Sequence, residues 1–196
     1  MTAPQGFSEH NFERLPLISE SERSEAQRAA ADAIIRGPRK AIFGPFVPLL
    51  HTPALMERLG ELGAALRFNG GLPDHIRELV IAATARSTDN QFEWQTHAPL
   101  ALKAGISQAT LDAVAARKIP RGLGENEAAA LDLVSEILNN NGLSDTSFAE
   151  AEKLFGAPGV VELTVLVGYF ATICWVMNVA RTPGPGGYPA LQPTPA

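Results

Sequence analysis

The run LTVLVGYFATICWVMNVA, Leu163 to Ala180, contains no charged residue, and no other stretch constrains the fold as strongly. A helix that is apolar on every side must be covered on every side, by lipid or by other helices. At about 1.5 Å of rise per residue it just reaches across a hydrocarbon core. Thr164, Thr172 and Asn178 interrupt it, Glu162 abuts it, and Arg181 is the one basic residue at its end. The cytoplasmic flank of a membrane span normally carries several Lys or Arg. The expectation is therefore a buried central helix with the rest of the chain wrapped round it, and no membrane partner.

The remaining sequence supplies wrapping helices between Pro and Gly stops. Residues 1–18 read as an extended arm rich in Pro and Phe. Ser19 with Glu22 forms a capping-box pattern that opens a helix running to Gly37–Pro38. Pro53 starts a second, with Leu55, Leu59, Leu62 and Leu66 at helical spacing, and Gly70–Gly71 ends it. Pro73 opens the next, whose core face is Ile76, Leu79, Val80 and Ala83. After the break at Asp89–Asn90 come a helix to Gly105, a short one capped by Ser107, one from about Gly124 to Gly142, and one capped by Ser144 or Asp145 and stopped at Gly156. Pro158 opens the apolar helix, and the Pro/Gly-rich tail 183–196 cannot extend it. No segment alternates as a strand and no fixed-period repeat, GxGxxG or P-loop occurs. The expected fold is all-α, a helical bundle of about seven or eight helices forming a single domain over 1–182.

The chain has 21 acidic and 16 basic residues, a net charge of −5, and no basic stripe, which argues against nucleic acid as a partner. One cysteine, Cys174, excludes an internal disulfide, a CxxC redox centre and a thiolate zinc cage. No basic region followed by an apolar run opens the sequence, so a reducing, cytoplasmic location is expected.

The stretch NQFEWQTHAP, residues 90–99, places Glu93 and His97 one helical turn apart. On a wheel of about 100° per residue, Gln95, Thr96 and Lys103 occupy one arc. Glu93 and His97 fall on the other, with Leu100, Ala104, Asn90, Ala101 and Trp94. A carboxylate on an apolar arc is costly unless paired; burial raises its pKa and a cationic imidazole lowers it. General acids and bases use this tension, although a simple buried i,i+4 pair would also satisfy the pattern. Pro99 removes the donor to Gln95 and should kink the helix there, opening a cavity or only bending it round the core.

Glu78, on the preceding helix beside Ala82 and Ala85, is a second candidate, or else part of an exposed Arg–Glu surface. Glu78 or His75 with Glu93 and His97 could hold a metal, but no HExxH or paired ExxH motif supports one. His10 and His51 suit surface or capping roles. No GxSxG elbow occurs, and Cys174 within the most apolar helix should stay protonated and inert.

Residues 77–114, RELVIAATARSTDNQFEWQTHAPLALKAGISQATLDAV, resemble the core module of the carboxymuconolactone decarboxylase family, related to the D-type alkylhydroperoxidases. Residues 44–73 resemble the segment preceding it in longer members, and VGYFATICWVMNVA is also similar. The resemblance implies an alkylhydroperoxidase D-like helical subunit assembled as a trimer or hexamer. The hydroperoxidase branch carries a Glu, a CxxC and a His four residues after the second Cys; Glu78 and His97 match, but Asn90 and Glu93 stand at the cysteine positions. Disulfide-based peroxide chemistry is thereby excluded. Glu93 and His97 match the Glu and His of the decarboxylase branch. The implied activity is cofactor-independent proton transfer, as a decarboxylase or isomerase of a small oxygenated acid or lactone. Glu93 and His97 would pass the proton, Glu78 would orient His97, and Asn90 and Trp94 would line the pocket, with no metal and no cofactor. True lactone decarboxylases are shorter and lack the preceding segment, which leaves the substrate open.

Overall fold

The structure, a computed structural model, describes residues 12–193. His10 and most of the expected arm lie outside them. Among the described residues there is no strand. After a single 3-10 turn at Glu20–Glu22, eight α-helices follow: α1 Glu25–Arg36, α2 Phe46–Leu49, α3 Pro53–Phe68, α4 Asp74–Ser87, α5 Gln91–Lys103, α6 Gln108–Ala115, α7 Glu125–Asn140 and α8 Asp145–Ala180. The all-α class and the number of helices agree with the sequence reading.

Helix α8 is broken at Gly156, whose φ of 67° only glycine adopts easily; Pro158 then restarts the helix. The second limb carries the uncharged run, and it is the centre of the bundle. Leu163, Leu166, Val167, Phe170, Cys174 and Met177 are all buried, against α4 and α7 among others.

Two local expectations are corrected. Helix α1 begins at Ser24, not Ser19: Ser24 and Gln27 form the reciprocal capping box, and Arg23 before them is extended. Both stretches carry the S-x-x-E/Q pattern, but starting at Ser24 turns Ala30, Ala31 and Ile34 inward. On α3 the buried face is Met56, Gly60, Gly63 and Leu66, while Leu55 and Leu62 are exposed. The glycines decide this, because neighbouring side chains occupy the space their Cβ atoms would need.

Two apolar clusters result. One joins α1, α2 and the start of α3 through Ile34, Phe46, Leu50 and Met56; the larger joins the end of α3 to α4 through α8. The tail does not hang free over 183–193. Trp94 Nε1 donates to the Pro189 carbonyl at 3.0 Å, Gln95 Nε2 to that of Tyr188 at 2.9 Å, and Gln91 exchanges two bonds with Leu191, which is buried. Gln95, expected on the wet face, is accordingly half-covered by the tail.

At Gly63 a Cβ would overlap the Tyr169 hydroxyl and approach Arg39 Nη2 to 2.7 Å. Gly63→Ala should lower stability by roughly 1–3 kcal/mol. Gly168→Ala, on an exposed helical turn with nothing within 4 Å of the new Cβ, should be neutral or stabilising by up to about 1 kcal/mol. Urea denaturation of both variants measures the contrast.

Candidate active site

Helix α5 starts where Asn90 accepts a hydrogen bond from Glu93 N at 2.8 Å, the N-cap that also fixes the phase of the helix. That phase turns Glu93 and His97 inward, 3% and 1% exposed, as the wheel indicated. Helix α4 packs alongside and presents Glu78, 6% exposed. The structure thus unites the three residues. His97 Nδ1 lies 2.5 Å from Glu78 Oε2, and His97 Nε2 lies 3.1 Å from Glu93 Oε2. Both ring nitrogens are occupied by carboxylates, and the Phe170 ring meets the imidazole edge-on at 5.3 Å.

Burial by itself would strip the imidazolium of its proton, but the hydrogen bonds to Glu78 and Glu93 outweigh it and hold His97 above its usual 6.5. Burial likewise pushes the Glu78 carboxyl up; the His97 bond and the charges of His97, Arg67 and Arg77 outweigh it and hold Glu78 below its usual 4.5. The pair is therefore charged, with each N–H of the imidazolium donating to a carboxylate.

Glu93 and His97 open on a cleft of about 30 Å³, room for about one water molecule. It lies at the seam of the two apolar clusters. Arg39, Phe43 and Phe46 wall one side, Arg67 comes from the end of α3, and Phe92, Tyr169 and Phe170 wall the other. Sequence reasoning missed Arg39, Arg67 and Tyr169, which come from distant segments. Arg67 Nε is buried without a hydrogen-bond partner. Arg39 stacks on Phe46 at 4.7 Å and donates to the Gly60 carbonyl at 3.1 Å. Burial pushes the Tyr169 hydroxyl up to about 12, against the opposing charge of Arg39.

Asn90 and Trp94, expected to line the pocket, stand outside the lining of this cleft. Asn90 Nδ2 donates to the Cys174 carbonyl at 3.1 Å and to Asn178 Oδ1 at 2.8 Å, tying α5 to α8. Trp94 faces the tail. Because the two carboxylates approach opposite nitrogens of one ring, they do not converge on a common point. Among the described residues no group of three His, Cys, Asp or Glu is placed to hold a metal.

The sequence profile of the Carboxymuconolactone decarboxylase family matches residues 53–136. Over that segment, a little under half of its length, the chain is similar to this family. The matched segment contains Arg67, Glu78, Glu93 and His97 but not Arg39, Tyr169 or Phe170. Among solved structures, the chain is similar to an uncharacterized peroxidase-related protein from Ralstonia eutropha JMP134 with an alkylhydroperoxidase AhpD core. Identity is 15%, the TM-score is 0.71, and the likeness covers 89% of this chain and 93% of that one. A protein of unknown function from Agrobacterium tumefaciens, named for AhpD-type antioxidant defence, is similar at 18% identity and TM-score 0.59, over 70% of this chain and 95% of that one. These likenesses establish the AhpD-like fold. No curated protein matches the chain.

The pH dependence of the pair has a definite sign. A raised His97 pKa stabilises the fold fully below 6.5 and the gain is lost as pH rises through the folded value; a lowered Glu78 pKa stabilises fully above 4.5 and is lost as pH falls through the folded value. Glu78→Gln should therefore destabilise most between pH 4.5 and 6.5, by about 3 kcal/mol, the scale for breaking a buried pair. It should also bring the His97 ring titration, followed by NMR, to lower pH.

Proposed function

We propose that this protein is a cofactor-independent proton-transfer enzyme, a decarboxylase or isomerase of a small oxygenated carboxylic acid or lactone such as γ-carboxymuconolactone. The observation that carries the reading is the buried imidazolium held between Glu78 and Glu93, with Glu93 facing the cleft. His97 has no free nitrogen, so substrate protons pass through Glu93. In decarboxylation, the electrons of the broken carbon–carboxylate bond enter an enolate as carbon dioxide leaves. His97 Nε2–H passes its proton to the Glu93 carboxylate, which delivers it to carbon; the neutral imidazole is then reprotonated from water through Glu93, and Glu78 holds the ring in place and favours its charged form. Arg67, with its unpaired Nε, and Arg39 would hold the substrate carboxylate and the enolate oxygen. A substrate larger than water requires Phe43, 42% exposed at the mouth, to swing aside.

The same proposal takes the protein as a cytoplasmic homo-oligomer, a trimer or hexamer. Val161, Val165, Trp175 and Val179 form an exposed apolar stripe along α8, the kind of surface that a second copy covers. The smallness of the cleft favours one other reading, a non-catalytic helical oligomer or small-ligand-binding protein of the same fold.

Carbon dioxide release from γ-carboxymuconolactone and related lactones separates the two. Glu93→Gln and His97→Asn should each lower kcat by about 10²–10⁴, and Arg67→Gln should chiefly raise KM. If both acid–base variants turn over an identified substrate at the parent rate and differ from it in stability alone, the catalytic reading is wrong.

A further inference from the structure

A larger cavity, about 570 Å³, lies on another side of the bundle between the end of α4, the α6–α7 connection and α7. Its size falls in the range of small-molecule sites. Val114, Leu123, Leu131 and Val134 give it an apolar body, and Arg86, Arg117 and Lys118 line it too. Arg86 is unusual among them. It is 2% exposed, and although Nη1 donates to Asp89 at 2.7 Å, Nε and Nη2 are buried with no hydrogen-bond partner. Asp89 Oδ1 is shared, because Arg117 Nη2 also donates to it at 2.8 Å. One carboxylate thus serves two guanidiniums.

Counting Arg86, Arg117 and Lys118 against Asp89 and Asp132, the cavity and its border carry three cations and two anions, a surplus of one positive charge. The chain as a whole has a net charge of −5, so this local excess runs against the background. An unpaired buried guanidinium N–H is costly, and burial pushes the Arg86 guanidinium down, so an anion at the cavity floor would relieve it. Such an anion needs an apolar body to fill the rest of the space.

We infer that this cavity is a second ligand site, separate from the Glu93–His97 cleft, that takes an amphipathic monoanion: a carboxylate set against Arg86, Arg117 and Lys118, with a medium-length hydrocarbon body along α7. Asp132 opposes that charge and weakens the site. The inference does not depend on the proton-transfer reading, since none of these residues touches the Glu78–His97–Glu93 group.

Isothermal titration of the full chain with octanoate, 1-octanol and octylammonium at low salt tests it. Octanoate should bind saturably, at one equivalent per chain, and at least tenfold tighter than the alcohol or the amine. The R117Q/K118Q pair should weaken octanoate about tenfold, and Asp132→Asn should tighten it severalfold. Ser135→Trp, an exposed change on α7 that fills the cavity from its rim, should abolish binding without unfolding the protein. Equal binding of the alcohol or amine overturns the inference, as does octanoate binding that survives Ser135→Trp. Loss of octanoate binding in Glu93→Gln with R117Q/K118Q unaffected would put the probe in the other cleft and also overturns it. So would failure of octanoate to bind while Ser135→Trp breaks self-association by sedimentation, which would make this face an interface between copies.

Discussion

An imidazole with a carboxylate on each nitrogen can be buried only if both partners are held in place, and much of the packing serves that requirement. Glu78 and Glu93 come from different helices, so the distance between α4 and α5 is set by the ring between them. Asn90 caps α5 and anchors it to the last limb of α8, which fixes the rotation that brings Glu93 and His97 to the ring's position. Phe170 from α8 covers the imidazole. On the other side of α5, the tail takes the side-chain donors of Gln91, Trp94 and Gln95. A helix carrying two buried ionisable groups is thereby held from both flanks.

Much of this was readable from local pattern. Pro and Gly punctuation located most helix ends, and the 3.6-residue period put Glu93 and His97 on the covered arc. Glu78 was ambivalent on its own helix, because nothing local says that a carboxylate beside Arg77 turns inward; only the resemblance paired it with His97. Arg39, Arg67 and Tyr169 were illegible for a different reason: each reaches the cleft through tertiary packing across long sequence separations. A signal did exist in Gly60 and Gly63, since two glycines inside a helix mark close approach of other groups. Ser19 and Ser24 offered equivalent caps, and the choice was made by burial of Ala30, Ala31 and Ile34, which local chemistry does not encode. Tail docking depends on backbone carbonyls, which carry no sequence signature.

One turn of α5 also limits what chemistry the scaffold can carry. The positions where the hydroperoxidase branch places its cysteines are Asn90, here an N-cap and inter-helix tie, and Glu93, here a buried carboxyl side chain facing the cleft. Cys174 offers no replacement: it is fully buried, and burial pushes its thiol well above the ordinary range. With an amide and a carboxyl group at these two positions, no disulfide exchange is available on this turn.

The matched segment 53–136 holds Glu78, Glu93 and His97 together, whereas more than half of the cleft wall, from Arg39 to Phe46 and from Tyr169 to Ile173, lies beyond it on either side. Much of the cleft wall and the group it exposes therefore come from separate parts of the chain that meet only in three dimensions, while Arg67, Phe92 and Thr96 are wall residues inside the matched segment. Phe170 is the outlying wall residue that packs against the imidazole, edge-on at 5.3 Å. The carboxylate–imidazole group is thus local to one stretch of the chain, whereas the cleft that exposes it exists only once both ends of the chain have folded onto that stretch.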